Sequence, residues 1–129
     1  MSDIDTIISD AVQKATENKH EYVTLEHLMY SLLEHEAVVE VLDKIDCDYL
    51  TAKEDLIDYL ADNEYNGLTG EVIYEGKPKK TVSIERVMQR AFAQVIFSAR
   101  DQVSPVDLFI SILSEDNTHA KYLCELNGV

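Results

Sequence analysis

Tryptophan is absent, and the 129 residues hold two cysteines, two prolines and four glycines. Two cysteines are too few for a disulfide framework, and Cys47 and Cys124 form no C-x-x-C pair, so a disulfide-stapled fold and a thiol-redox motif are both excluded. Isolated cysteines of this kind read as small buried hydrophobes in a reducing compartment. Basic residues are also scarce, 11 against 25 acidic ones, for a formal net charge of −14. Such a chain repels nucleic acid and anionic lipid and favours partners with a basic face. There is no apolar run of membrane-span or signal-peptide length, and Met1-Ser2-Asp3 is the wrong opening for a secretory leader. A cytoplasmic protein with no membrane or nucleic-acid partner is therefore expected.

The nucleotide and hydrolase motifs are missing too. Gly76-Lys77 is followed by Pro78 and has no upstream glycine, so it is no P-loop, and neither G-x-S-x-G nor H-E-x-x-H occurs. A non-enzymatic role follows. What is present is 46% hydrophobic residues, ordinary for one globular domain of this size.

That apolar content is patterned. After the polar entry His20-Glu21-Tyr22-Val23, Thr24 stands as a helix N-cap, and Leu25, Leu28, Met29, Leu32 and Leu33 recur at the spacing of one helical face. About eighty residues later Ser104-Pro105-Val106-Asp107 opens a helix in the same way, with a Ser cap, Pro at the first position and a carboxylate at the third. Leu108 and Ile112-Leu113 follow where Leu28 and Leu32-Leu33 stood.

The rest of the chain arranges itself around these two helices. Ile4, Ile7, Ile8, Ala11, Val12 and Ala15 mark a first helix; Val38, Val41 and Leu42 a third, broken at Asp46-Cys47-Asp48; Leu56, Ile57 and Leu60 a fourth, with Thr51 to Glu54 as a capping box. Residues 62–80, with Gly67, Gly70, Gly76 and Pro78, read as a linker loop whose one strand-like piece is Glu71–Tyr74. Ser83 is expected to cap a fifth helix that buries Ile84, Val87, Met88, Ala91, Phe92, Val95 and Ile96. Ala120, Tyr122, Leu123 and Leu126 form the last, stopped at Asn127-Gly128. Residues 11–15 match 87–91, and residues 24–33 match 104–113, so the offset changes from 76 to 80 and implies four extra residues, one helical turn. The expected fold is all-α: one domain over 1–129, made of two tandem helical repeats (about 3–61 and 81–129) in a compact pseudo-twofold bundle of about seven or eight helices.

Two constellations carry chemistry. His20, Glu26 and His27 offer imidazole and carboxylate ligands at a loop–helix junction, the basis for an alternative reading as a metal-binding or hydrolytic protein. Glu21 and Glu26, beside an exposed Tyr22, form an acidic rim able to accept charge-assisted hydrogen bonds from a partner. Val106 and Asp101 stand at the matching places in the second half, so this rim is not repeated.

At these residues the chain resembles the Clp N-terminal domain, the double repeat at the head of the Clp/Hsp100 unfoldases, and most of all the ClpA type. His20-Glu21-Tyr22-Val23-Thr24-Leu25-Glu26-His27-Leu28 is similar to that family's H-E-[FY]-[MV]-T-[VL]-E-H-L stretch. Residues 81–91 resemble its second-repeat opening, and residues 103–115 and 120–123 its close. The resemblance implies a monomeric adaptor-docking domain that binds a ClpS-like adaptor, unfolded protein substrates, or both, with contacts at Glu21, Glu26 and Thr81 and with Tyr22 beside them. It also implies His20 as a candidate zinc ligand and no other cofactor. In the family the domain precedes two ATPase modules, whereas this chain stops at Val129. A stand-alone regulator or decoy of a Clp protease system is the corresponding expectation.

Overall fold

The computed structural model describes residues 3–62, 78–100, 102–116 and 118–128. Among them are seven helices and two short strands: α1 (Asp3–Glu17), β1 (Tyr22–Val23), α2 (Leu25–Leu33), α3 (Glu36–Lys44), α4 (Tyr49–Ala61), β2 (Lys79–Lys80), α5 (Val82–Phe97), α6 (Pro105–Leu113) and α7 (His119–Leu126). The mostly helical architecture is the expected one. Glu71–Tyr74, expected to be strand-like, lies outside the described residues.

Sequence chemistry explains most boundaries. Helix α1 carries Asp3 and Asp5 at its positive end and Lys14 in its last turn, and it buries Ile4, Ile7, Ala11 and Ala15. Just past its end Lys19 has a left-handed φ of 57°, and the His20 N–H closes the turn onto the Ala15 carbonyl at 2.9 Å. Helix α2 is buried on nearly every side: Leu25, Leu28, Met29, Leu32 and Leu33 lie in the interior, as expected of the stripe, together with the polar Glu26, His27 and Ser31. Each such fully buried leucine contributes about 1.5–3 kcal/mol relative to exposure.

The second repeat copies this hairpin bond for bond. Ser31 Oγ donates to the Ile7 carbonyl at 2.8 Å, and Ser111 Oγ donates to the Val87 carbonyl at 2.9 Å. Ala99 has the left-handed φ of Lys19, at 55°, and the Arg100 N–H returns to the Val95 carbonyl as His20 returns to Ala15. Ile84, Val87, Ala91 and Val95 are buried where Ile4, Ile7, Ala11 and Ala15 are buried. Every one of these pairs is 80 apart. The 76-residue offset for residues 11–15 is therefore corrected, and the four-residue insertion does not exist. A slip of one helical turn keeps an apolar stripe on the same face, so periodicity alone does not separate the two alignments.

Three other expectations change. Helix α4 starts two residues before Thr51, and its cap is Asp48, which accepts from the Thr51 N–H at 3.2 Å and the Thr51 hydroxyl at 2.7 Å. Helix α5 starts after Thr81, so Ser83 lies inside it. Not all of the apolar residues on the later helices are core: Phe92 and Ile96 on α5, and Tyr122 and Leu126 on α7, are exposed, while Cys124 joins Ala120 in the interior. Of the expected linker, Pro78 is buried and Lys79–Lys80 form a strand.

One apolar cluster takes residues from both halves, including Leu28, Met29, Leu32, Leu42, Leu56, Val87, Leu108, Ile112 and both buried cysteines. Helix α2 packs on its counterpart α6, which is the contact a twofold relation between repeats requires. Further contacts join α3 to α6 and α4 to α7. The Asp48 N–H bonds to the Asn127 carbonyl at 2.9 Å and ties the end of α7 to the start of α4.

Candidate functional site

The residues singled out from the sequence stand 60 positions apart, and the two strands bring them together. β1 and β2 pair in parallel, Tyr22 opposite Lys79 and Val23 opposite Lys80. The Lys79 N–H donates to the Glu21 carbonyl at 2.8 Å, and the Thr81 N–H donates to the Val23 carbonyl at 3.2 Å. Strand alternation turns Val23 into the core and leaves Tyr22 exposed. On the rim Lys79 Nζ lies 3.9 Å from Glu21 Oε1. Both groups are partly solvated, so this pair holds little energy and is easily exchanged for a partner's cation.

Next to this ladder, three helices begin. Thr24 is the N-cap of α2, Thr81 of α5 and Thr118 of α7. The three threonines, with Leu25, Glu26, Ser83 and His119, line a cleft of about 190 Å³. Thr81 Oγ1 is buried there and has no hydrogen-bond partner among the described residues.

Glu26 is the group that joins the cleft to the fold. It lies in the first turn of α2 and is only 8% exposed. Its Oε2 accepts from the Ala120 N–H, in the first turn of α7, at 3.1 Å. One carboxylate thus serves two helix N-termini, where negative charge is favoured and backbone donors lack partners. Burial pushes its carboxyl above the usual range, and the Ala120 bond only partly opposes this. The acidic rim expected from the sequence is therefore split: Glu21 lies at the surface, while Glu26 is a buried tie between the repeats.

His20 and His27 form a second buried unit. Their rings meet edge to face with centroids 5.0 Å apart, and His20 Nδ1 lies 2.8 Å from His27 Nε2. His27 Nδ1 accepts from the Thr24 N–H at 2.9 Å, so His27 acts at the third helical position as the reach-back half of a capping box. With Nδ1 accepting, the neutral ring carries its proton on Nε2 and donates it to His20. Burial, then the neighbouring His20 and Lys14, lower the His27 pKa to about 3. In the second repeat the same two positions hold Arg100 and Asp107: Asp107 reaches back to the Ser104 N–H at 2.8 Å and takes a two-pronged bond from Arg100 at 2.9 and 3.0 Å. A buried imidazole pair and a surface ion pair thus do the same capping work.

Both His27 nitrogens are engaged, and Glu26 is held by Ala120. Among the described residues no group of three or more His, Cys, Asp or Glu side chains is placed to hold a metal ion. Sequence reasoning missed Lys79, Ser83, Thr118 and His119. The N-cap character of Thr118, before an apolar run, was the available signal for one of them.

The family model of the Clp repeat (R) N-terminal domain matches residues 2–126. The chain belongs to the Clp repeat N-terminal domain family. A curated relative described as a ClpA homolog protein, from Fuscovulum blasticum, is 28% identical over 124 residues, 96% of this chain and 15% of that protein. The chain thus spans about one seventh of that relative's length. The fold is similar to the Hsp104 N-terminal domain from Candida albicans, with a TM-score of 0.78 and 11% identity, covering 100% of this chain and 81% of that one. It is also similar to a chain from a study of a malarial protein secretion system, with a TM-score of 0.79 and 10% identity, covering 98% and 83%. The Clp N-domain is a non-catalytic protein-interaction module of Clp/Hsp100 chaperones. In this Clp N-domain no helix among the described residues is long and apolar enough to cross a membrane.

Proposed function

We propose that this Clp N-domain docks a ClpS-like adaptor, unfolded protein substrates, or both, for a cytoplasmic Clp protease system, through the surface around the cleft at the starts of α2, α5 and α7. The observation that carries the reading is the convergence of Glu21, Tyr22 and Thr81 on one rim above Glu26, from segments 60 residues apart. Tyr22 is 41% exposed and supplies an amphipathic anchor of the kind that dominates interfaces. Glu21 accepts from a basic or amide donor of the partner in place of Lys79. Thr81 lines the cleft beside them, its hydroxyl oxygen buried and without a hydrogen-bond partner among the described residues. Glu26 serves the interface by holding Thr118 and His119 against the cleft. Whether the domain works at the head of an unfoldase or as a separate regulator that occupies the adaptor, the docking surface is the same.

Glu21→Lys places a cation beside Lys79 and turns the rim from acceptor to donor. Adaptor affinity is expected to fall at least ~30-fold, in the 2–5 kcal/mol range of a broken interfacial charge pair, with the helical circular dichroism unchanged. Titration calorimetry against a ClpS-like adaptor reads both numbers, and wild-type affinity in Glu21→Lys would remove Glu21 from the interface. Charge reversal at Glu26 is no test of binding, because that carboxylate holds α7.

A further inference from the structure

Each repeat carries a groove along its first two helices, and the two grooves are built from matching places. In repeat one Asp10, Lys14, Tyr30, Ser31 and Glu34, from α1 and α2, line a groove of about 230 Å³. At the places 80 residues on, Arg90, Gln94, Ile110, Ser111 and Ser114, from α5 and α6, line one of about 220 Å³. The backbones agree down to the last turn of the second helix. The Glu34 N–H returns to the Ser31 carbonyl and the Ser114 N–H to the Ser111 carbonyl, both at 3.2 Å. The N–H groups of His35 and Glu115 return to Leu32 and Ile112 in the same way.

What the grooves hold is different. In repeat two a guanidinium crosses from α5: Arg90 Nη1 donates to the Ser111 carbonyl at 2.9 Å and Nη2 to Glu115 Oε2 at 2.9 Å. It takes the second lone pair of a carbonyl and sets a cation at the negative end of α6. Repeat one has no such group. Position 10 is an aspartate, and α2 carries no basic residue in its last turn. Among the described residues the Ser31 carbonyl accepts from no side chain, and the Asp10 carboxylate has neither a hydrogen bond nor an ion pair. The groove is negative instead. Asp10, Glu17 and Glu34 line it against one cation, Lys14, whose ammonium lies 4.8 Å from the centre of the Tyr30 ring. Lys53 reaches Glu34 from α4 at 3.4 Å, a partly solvated pair that exchanges easily. Burial, then Glu34 and Glu17, hold the Tyr30 hydroxyl above its ordinary range. Dispersed carboxylates, a free carbonyl lone pair and an aromatic ring suit a planar, weakly hydrated organic cation.

We infer that the α1–α2 groove binds the guanidinium of an arginine on a basic protein segment, which fills from outside the place that Arg90 fills from within in repeat two. One prong bonds the Ser31 carbonyl and the other a carboxylate of the lining, in the two-pronged manner of Arg90. The single ammonium of a lysine does not reproduce that planar fork. The groove lies at the C-terminal end of α2 and the cleft at its N-terminal end, so arginine binding here is independent of docking at the cleft.

Titration of the ¹⁵N-labelled full chain with a blocked tripeptide, arginine between two glycines, tests this. The same peptide with lysine, or with citrulline (uncharged and of the same shape), runs alongside. The arginine peptide is expected to move the amides of Asp10, Lys14, Glu17 and Ser31 to Glu34 saturably at millimolar concentration and to leave Glu21, Tyr22 and Lys79 in place. The lysine peptide binds several-fold more weakly, and the citrulline peptide does not bind. Asp10→Asn weakens arginine binding at least ~10-fold, the loss of one charge-assisted hydrogen bond. Asp10→Arg, at an exposed position of α1, supplies the guanidinium from within: peptide binding is lost and the urea midpoint rises. Glu125→Gln, an equal change of charge to that in Asp10→Asn at an exposed position of α7, leaves binding unchanged. No saturable shift, shifts at the cleft in place of the groove, equal binding of the lysine or citrulline peptide, wild-type affinity in Asp10→Asn, an unraised midpoint in Asp10→Arg, or weakened binding in Glu125→Gln would each overturn the inference.

Discussion

Between pH 6.5 and pH 4.5 His27 is expected to withdraw about 2–3 kcal/mol of stability from this domain. An imidazole whose folded pKa lies below its unfolded value stabilises the fold above the unfolded value and loses that contribution as pH falls toward the folded one. For His27 that window runs from 6.5 down to about 3, with a slope of about 1.4 kcal/mol per pH unit. The groups that face it allow no relief: protonation sets a cation against His20 and near Lys14 and takes the acceptor from the Thr24 N–H. Asp48, Asp107 and Glu115, held below the usual carboxylate range by Thr51, Arg100 and the Arg86–Arg90 pair, lose stability in the same direction but at lower pH. Urea unfolding at a series of pH values reads the slope. His27→Gln keeps an acceptor for Thr24 and does not titrate, so the loss of stability in this window should disappear and leave only the opposing contribution of Glu26. A variant that retains the wild-type slope would place the acid sensitivity elsewhere.

Glu26 gives the second large effect. Glu26→Ala leaves the Ala120 N–H buried without a partner and opens a gap between α2 and α7, at a cost of about 2–4 kcal/mol. Glu26→Gln keeps the acceptor and relieves the burial of a charge, so its stability at pH 7 is expected within about 1 kcal/mol of wild type or above it. The two substitutions also correct the pH experiment. A carboxyl raised in the folded state adds stability as it protonates, opposite in sign to His27, and Glu26→Gln removes that opposing contribution. Equal destabilisation by Ala and Gln, measured by urea unfolding, would show that the carboxylate charge itself is required.

The parts of this fold that sequence reveals are those written in periodicity and capping chemistry. The stripe from Leu25 to Leu33, the Ser104–Asp107 helix start and the repeated hairpin follow from residue spacing, because a helix shows its buried face every three or four positions. The two-residue strands leave no such trace: Tyr22–Val23 and Lys79–Lys80 are too short to alternate, yet they hold Thr81 at the rim. The burial of Glu26 was equally hidden, since a glutamate in the first turn of a helix is most often solvated and its partner Ala120 is 94 residues away. Phe92 and Ile96 misled in the opposite sense. Apolar residues at helical spacing read as core, and only the three-dimensional packing shows that α5 is apolar on two faces.

The docking claim has one direct measurement. A ¹⁵N-labelled sample of this 14.6 kDa chain, titrated with an unlabelled ClpS-like adaptor, reports binding amide by amide. The account predicts that the largest shifts fall on Glu21, Tyr22, Val23, Thr24 and Glu26, on Lys79 to Ser83, and on Thr118 and His119, with the outer face of α5 unmoved. Shifts confined to Phe92, Ile96, Phe97 and Ile110, or no shifts at saturating adaptor, would contradict it.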